Sequence, residues 1–226
     1  MTTAAAVQQA LASEDLGERL SGVNQLRQLP PDVAFALIQP AIVDANPRVR
    51  YAAVSQLSTL GTCDLAQAQA LLRDRLYHDP EVDVKAAAAD AIGALKLTEA
   101  FSDLATVYTN TAEWLLQFSI VAALGELGNP AATPLLLSAL ETDQELLKLA
   151  AIGSLGELGD ASILPILAAY LDYPDWQVRQ RLAIALGQIG GAEARTLLQQ
   201  LTQDTCKTVA ETAVTLLTFS TESFAL

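Results

Sequence analysis

The sequence predicts an all-α fold, a right-handed α-solenoid of about six to seven short helical hairpins, with residues 1–226 forming one domain. Three observations carry that expectation. Ala123-Leu-Gly-Glu-Leu-Gly128 returns as Ser154-Leu-Gly-Glu-Leu-Gly159 and again as Ala185-Leu-Gly-Gln-Ile-Gly190, each copy 31 residues after the last. Self-similarity at a fixed period of this size marks stacked repeats. Apolar residues make up 51% of the chain and aromatics only 5%, so much of the apolar content is alanine. Alanine has the highest helix propensity, and small side chains let helices pack closely. Finally, Val178, Leu182, Ala185, Leu186 and Ile189 follow i, i+4, i+7, i+8, i+11, an apolar stripe of helical period.

Aligning on the motif leucine gives Leu26, Leu57, Ile92, Leu124, Leu155, Leu186 and Leu217, at spacings of 31, 35, 32, 31, 31 and 31. The repeats then run approximately 1–30, 31–61, 62–96, 97–128, 129–159, 160–190 and 191–226. Each is expected to hold a helix A, a turn and a helix B. The first has its B helix at Leu16–Leu29 after a shortened apolar A helix. The one longer step follows Leu57 and places an insertion near Gly61-Thr-Cys-Asp64. In the third repeat, Asp79-Pro80 reads as an N-cap acceptor before a proline at the first helical position. Asp44, Thr111, Thr142 and Asp204 stand at the equivalent place. The stripe recurs as Val84, Ala88, Ala91, Ile92, Leu95 and as Leu116, Ile120, Ala123, Leu124, Leu127. In the sixth repeat a short A helix at Ser162–Leu171 leads through Asp172–Asp175 to a B helix at Trp176–Ile189. Glycines 128, 159 and 190 end B helices as left-handed C′ residues. The last repeat closes on Leu216-Leu-Thr-Phe-Ser220 without the glycine, and both end repeats read as caps over exposed apolar faces.

Composition narrows the function. A formal charge of −13 argues against nucleic acid, whose phosphates need a basic face, and against an anionic membrane surface. No apolar run approaches a membrane span. Met1-Thr-Thr-Ala-Ala-Ala carries no basic region ahead of an apolar core, so a cytoplasmic protein is expected. Cys63 and Cys206 lie far apart, which is neither a disulfide framework nor a metal-ligand spacing. Neither a metal site nor an intrinsic cofactor is expected. The lone His78, at the end of an A helix, fits a favourable contact with the helix C-terminus.

Stacking aligns equivalent positions of successive B helices into columns, and any site must be sought there. One column reads Arg19, Arg50, Lys85, Gln117, Lys148, Arg179. Its structural reading is a ladder that holds neighbouring turns together through Asp or Glu. Another places both tryptophans, Trp114 and Trp176, at the same repeat position, each after an acid, Glu113 and Asp175. Shielding of the turn and a favourable helix start explain them structurally. An aromatic, acidic rim able to stack on a planar ligand or anchor a partner is the functional reading. Glu126 and Glu157 share a column near B-helix ends and read as a solvated face. Asp90 is the one acid in the run Ala86-Ala-Ala-Ala-Asp-Ala-Ile, either groove-facing or a partner for a ladder cation.

The repeat unit, with NPRVRYAAVSQLSTL at 46–60, the segment 79–97 and EWLLQFSIVAALGELG at 113–128, resembles the short HEAT-like repeats of the cyanobacterial phycobilin lyase group. The resemblance covers essentially the whole chain and leans toward the NblB-type phycobilisome degradation branch. It implies a protein that engages phycobiliproteins such as phycocyanin and allophycocyanin, together with partners of the degradation pathway. Phycocyanobilin would then be ligand or substrate, detached from its cysteine in the degradation branch and attached in the lyases. A non-catalytic adaptor, for example in iron–sulfur assembly, is the third reading. On the resemblance, Trp114, Trp176 or Tyr51 would stack on the tetrapyrrole and Arg50 and Arg179 would pair with its propionates. Asp90, Glu113 or Asp175 would contact pyrrole nitrogens or move a proton.

Overall fold

The computed structural model describes residues 2–222; Met1 and the last residues of the seventh repeat, 223–226, lie outside it. Among the described residues there are fourteen α-helices and no strand, an α-solenoid of paired helices. By compactness the chain divides into two units, Met1–Ala123 and Leu124–Leu226.

In the first unit, α1 (Ala4–Leu11) and α2 (Leu16–Gln25) form the opening hairpin. It is followed by α3 (Pro31–Ile42) with α4 (Pro47–Leu60), then α5 (Leu65–His78) with α6 (Val82–Ala94). α7 (Phe101–Asn110) precedes α8 (Trp114–Leu127), whose last turn from Leu124 is counted with the second unit. The B helices α2, α4 and α6 pack on one another in turn. They meet through the aligned apolar stripe: Leu26, Leu57 and Ile92 are fully buried, as are Val84 and Ala88. This close-packed seam removes apolar area from water at about 25 cal/mol per Å².

The second unit repeats the plan with α9 (Thr133–Leu140) and α10 (Glu145–Leu158), then α11 (Leu164–Leu167) and α12 (Trp176–Ile189). α13 (Gly191–Leu201) and α14 (Lys207–Glu222) end the array. α12 has the expected bounds. The sixth A helix does not: a 3-10 turn at Ala161–Ile163, a single α turn and a second 3-10 turn at Ala168–Tyr170 replace one continuous helix. Leu155 and Leu186 are fully buried, and Leu217 is half-buried.

Glycines 128, 159 and 190 all take positive φ, 65°, 68° and 69°. Gly159 with ψ 17° has the left-handed conformation expected, whereas Gly190 with ψ −166° departs from it and takes an extended, positive-φ conformation open to glycine. Lys96 stands at the same repeat position with φ 51°, where a side chain is strained. Gly61 shares that column but has an ordinary φ of −61°. Close approach explains it instead: a Cβ there would lie 2.6 Å from Leu95 Cδ1 and 2.9 Å from Ala68 Cβ.

The expected helix start at Asp79-Pro80 needs correction. α6 begins at Val82, and Asp79 caps the turn rather than the helix, its Oδ1 accepting from Glu81 N–H at 3.0 Å. The equivalent positions do the same two residues ahead: Asp44 to Asn46 (2.8 Å), Thr111 to Glu113 (3.1 Å), Thr142 to Gln144 (3.2 Å) and Asp204 to Cys206 (2.7 Å). Short polar side chains favour such local turns because they satisfy backbone donors outside the helix. Ser13 opens the series, accepting from Asp15 N–H at 3.1 Å.

Candidate functional site

The three arginines of the column form the expected ladder, whereas Lys85 Nζ donates to the Tyr77 carbonyl of its own repeat at 3.3 Å. Arg19 Nε donates to Asp44 at 2.8 Å, Arg50 Nε and Nη2 to Asp79 at 2.8 Å each, and Arg179 Nε to Asp204 at 2.7 Å. In every case the acid is the turn residue of the following repeat. Each arginine also ties down its own turn, Arg50 through the carbonyls of Asp44 (3.0 Å) and Ala45 (3.3 Å), Arg179 through those of Tyr173 (2.6 Å) and Pro174 (3.1 Å). Where the turn residue is Tyr173, the column carries Lys148, whose Nζ donates to the tyrosine hydroxyl at 2.7 Å. Where it is threonine, Gln117 donates to the carbonyl of its own Thr111 at 3.0 Å.

These contacts set the charge states. Burial by itself would raise Asp79, but the Arg50 bonds and the Glu81 N–H outweigh it and hold its carboxyl below the usual range. The Arg179 hydrogen bond lowers Asp204 in the same way. Arg50 and Arg179, nominated for propionate pairing, therefore spend their planar forks inside the scaffold, with only 8% and 12% of their side chains exposed.

A cleft of about 560 Å³ opens in the first unit, on the face made by α4, α6 and α8. α4 contributes Arg48 and Tyr51, the segment before α6 Glu81, α6 itself Asp83, Val84, Ala86, Ala87 and Asp90, and α8 Leu115 and Ser119. The repeat register explains the space. Tyr51 and Phe118 occupy one column on the flanking helices, and between them α6 supplies only Ala86. Asp90 is the one charged residue of its column, which otherwise reads Asn24, Ser55, Ala122, Gly153, Ile184, Thr215. Stacking does not need a carboxylate there.

Asp90 stays accessible to water through the cleft mouth while protein atoms crowd it. The lost hydration pushes its carboxyl up, and a hydrogen bond with the buried Ser119 pulls the other way; burial wins. Tyr51 presents a ring that is 48% exposed. Arg48 is exposed and is the one cation among the residues lining the cleft.

The structure thus brings Tyr51 and Asp90 into one cleft. Trp114, 47% exposed, begins α8 beside Leu115, with Glu113 exposed just before it. Asp175, Trp176 and Arg179 belong to the second unit, where Asp175 caps α12 by accepting from Gln177 N–H at 2.8 Å. Arg48 was not apparent from the sequence, because its column, Gly17, Arg48, Asp83, Leu115, Leu146, Gln177, has no common chemistry. The missing side-chain volume at Ala86, read against Tyr51 and Phe118, was the available signal. Among the described residues no group of His, Cys, Asp and Glu could hold a metal ion, and no helix is long and apolar enough to cross a membrane.

A family model described as HEAT repeats matches residues 3–92, 70–148 and 137–218. No curated protein matches the sequence. Among solved structures, the complex of CpcE and CpcF of phycocyanin lyase from Nostoc sp. PCC7120 is similar over 97% of this chain and 95% of that chain, at 20% identity and a TM-score of 0.64. The Escherichia coli protein YibA matches over 96% and 93% respectively, at 14% identity and a TM-score of 0.60. An engineered protein matches over 96% of this chain and 67% of its own, at 16% identity and 0.62. At such identities the likeness is one of fold.

Proposed function

We propose, for a chain that belongs to the HEAT-repeat family, that it binds phycobiliproteins and assists detachment of their bilin, as a phycobilisome degradation factor of the NblB type. The observation that carries this reading is the cleft, where the exposed Tyr51 ring and the Asp90 carboxylate, open to water at the mouth and raised in pKa by the protein around it, come together. The fold shared with CpcE and CpcF supports the choice of ligand.

In this reading the tetrapyrrole lies along Tyr51, its N–H groups toward Asp90 and a propionate toward Arg48, which takes the place first given to Arg50. The cleft volume lies within the range of small-molecule sites. Trp114 and Glu113 extend the contact to the surrounding pigment protein, and the Asp175–Trp176 edge with Arg179 behind it gives the second unit its own surface for the same partner. Detachment reverses thioether addition. A ring proton beside the linked carbon is removed, its bonding pair forms the new double bond, and the C–S pair leaves on the cysteine sulfur, which takes up a proton. A carboxylate of raised pKa suits both transfers, as base and then as acid. No intrinsic cofactor is involved. The likeness to CpcE and CpcF favours a second reading, a lyase subunit running the same step in the attachment direction.

The test is an absorbance time course of intact phycocyanin mixed with this protein, alongside Tyr51→Ala and Asp90→Asn. Loss of the visible band with released bilin, slowed at least tenfold in either variant, is expected. Co-migration on gel filtration with an unchanged spectrum would make the protein an adaptor. Neither change nor co-migration would remove phycobiliprotein as the partner.

A further inference from the structure

The charges lining the cleft do not match the ligand's propionates alone. Glu81, Asp83 and Asp90 face it against one cation, Arg48. None of the three acids is in a salt bridge among the described residues, where the ladder acids Asp44, Asp79 and Asp204 all are. Asp90 lies over an alanine floor made by Ala86 and Ala87, both buried, beside the exposed Tyr51 ring. Three uncompensated acids at the mouth of a concave surface attract a cation together, and Asp90, partly enclosed by protein, does so more strongly than a carboxylate in open water. An aromatic face attracts positive charge spread over a plane.

From this arrangement we infer that the cleft selects a planar, delocalised cation, stacked on Tyr51 with its N–H groups donated to Asp90. Resting on the function proposed above, the occupant is the tetrapyrrole in its nitrogen-protonated form, and Arg48 holds the propionate at the rim. Binding then stabilises the protonated pigment over the neutral one. The groups that face this charge are Arg48 and Tyr51 from α4, Glu81 and Asp83 from the start of α6, Asp90 within it, and Ser119 from α8. Affinity should follow a bell in pH. It rises as Asp90 ionises, because only the carboxylate attracts the cation, and falls as the pigment loses its proton.

The experiment titrates the full chain with biliverdin across pH and follows the visible spectrum, which reports pigment protonation independently of any cleavage. Bound biliverdin is expected to keep its proton at least one pH unit higher than free biliverdin, a tenfold preference. Asp90→Asn should remove most of that shift with binding retained, and Asp83→Asn a smaller part; Tyr51→Ala should weaken binding itself. Biliverdin that binds but titrates as the free pigment, or whose shift survives Asp90→Asn, overturns the inference and leaves the bilin reading standing. If biliverdin does not bind, the second arm is Nα-acetylarginine amide, a permanently protonated planar cation, followed by NMR. Its binding, with at least tenfold loss in Asp90→Asn and only the acidic limb of the bell, keeps the cation selectivity and overturns the bilin reading. Failure of both ligands overturns both.

Discussion

Replacing Arg50 by glutamine tests the ladder where it is most enclosed. The substitution removes two charge-assisted bonds of 2.8 Å to Asp79 and the bonds to the Asp44 and Ala45 carbonyls. Asp79 is 1% exposed and would be left as a buried carboxylate. Removing one member of a buried pair costs about 3–5 kcal/mol, because the other charge loses its compensation. Here the loss is partly offset, since Arg75 Nη1 at 3.1 Å and Glu81 N–H at 3.0 Å still donate to Asp79. We therefore expect the lower end, about 3 kcal/mol, or roughly a hundredfold in the folded-to-unfolded ratio. Arg19 and Asp44 form the same pair with 18% and 11% of their side chains exposed, so Arg19→Gln should cost less, about 1–2 kcal/mol. Urea unfolding followed by circular dichroism measures both, and the Arg50/Asp79 double-mutant cycle isolates their coupling. An Arg50→Gln cost below about 1 kcal/mol, or no larger than that of Arg19→Gln, would refute the claim that the ladder holds the stack together.

Acid should loosen the ladder in a defined window. The native pKa values of Asp79 and Asp204 lie below the unfolded value of about 3.9, so their contribution is complete above it and disappears as pH falls through the native values; stability of Asp79→Asn measured from pH 5 to pH 2 should fall less steeply than that of the natural chain. Asp90 has the opposite sign. Its pKa is raised by burial, so the ionised form burdens the folded state at neutral pH, and Asp90→Asn should raise Tm at pH 7 with a smaller effect at pH 4. A Cβ on Gly156 would lie 2.6 Å from Ala185 Cα, so Gly156→Ala should cost about 1–3 kcal/mol by forcing α10 from α12. Lys96→Gly should stabilise by about 1 kcal/mol, relieving the left-handed strain at φ 51° less the entropy glycine adds to the unfolded chain; thermal unfolding checks both.

The repeat period made the architecture legible because stacking forces one chemistry on equivalent positions. Leu26, Leu57 and Ile92 could be assigned to the seam from the sequence, and Arg50 and Arg179 could be read as ladder members. Their partners were harder to see. Asp44 and Asp204 stand 25 residues downstream of Arg19 and Arg179, but the insertion after Leu57 stretches the Arg50–Asp79 spacing to 29. Pro80 suggested a helix start because proline suits a first turn, yet the Asp79 side chain had already closed a turn ahead of it. The cleft was hidden for a different reason. It is made by what α6 lacks, Ala86 between Tyr51 and Phe118, and periodicity reports side chains that recur more readily than volume that does not. Asp90 stood out as a lone acid among alanines, but the neighbouring helices that crowd it are far away in sequence.

The ladder also gives the array a direction. Each arginine reaches forward to a turn that comes later in the chain, so every such bond has a giver and a receiver, like a zip whose teeth face one way. At the giver's place in the seventh hairpin stands Ala210, and at the receiver's place in the first stands Ser13. A hairpin appended after α14 would find no guanidinium offered to it, and one placed before α1 would find a hydroxyl where its arginine needs an acid. A hairpin copied from this array therefore carries the bond with it only where its arginine meets an aspartate at the receiver's place, as Arg179 meets Asp204; at the α10–α12 junction Lys148 and Tyr173 stand in those places instead.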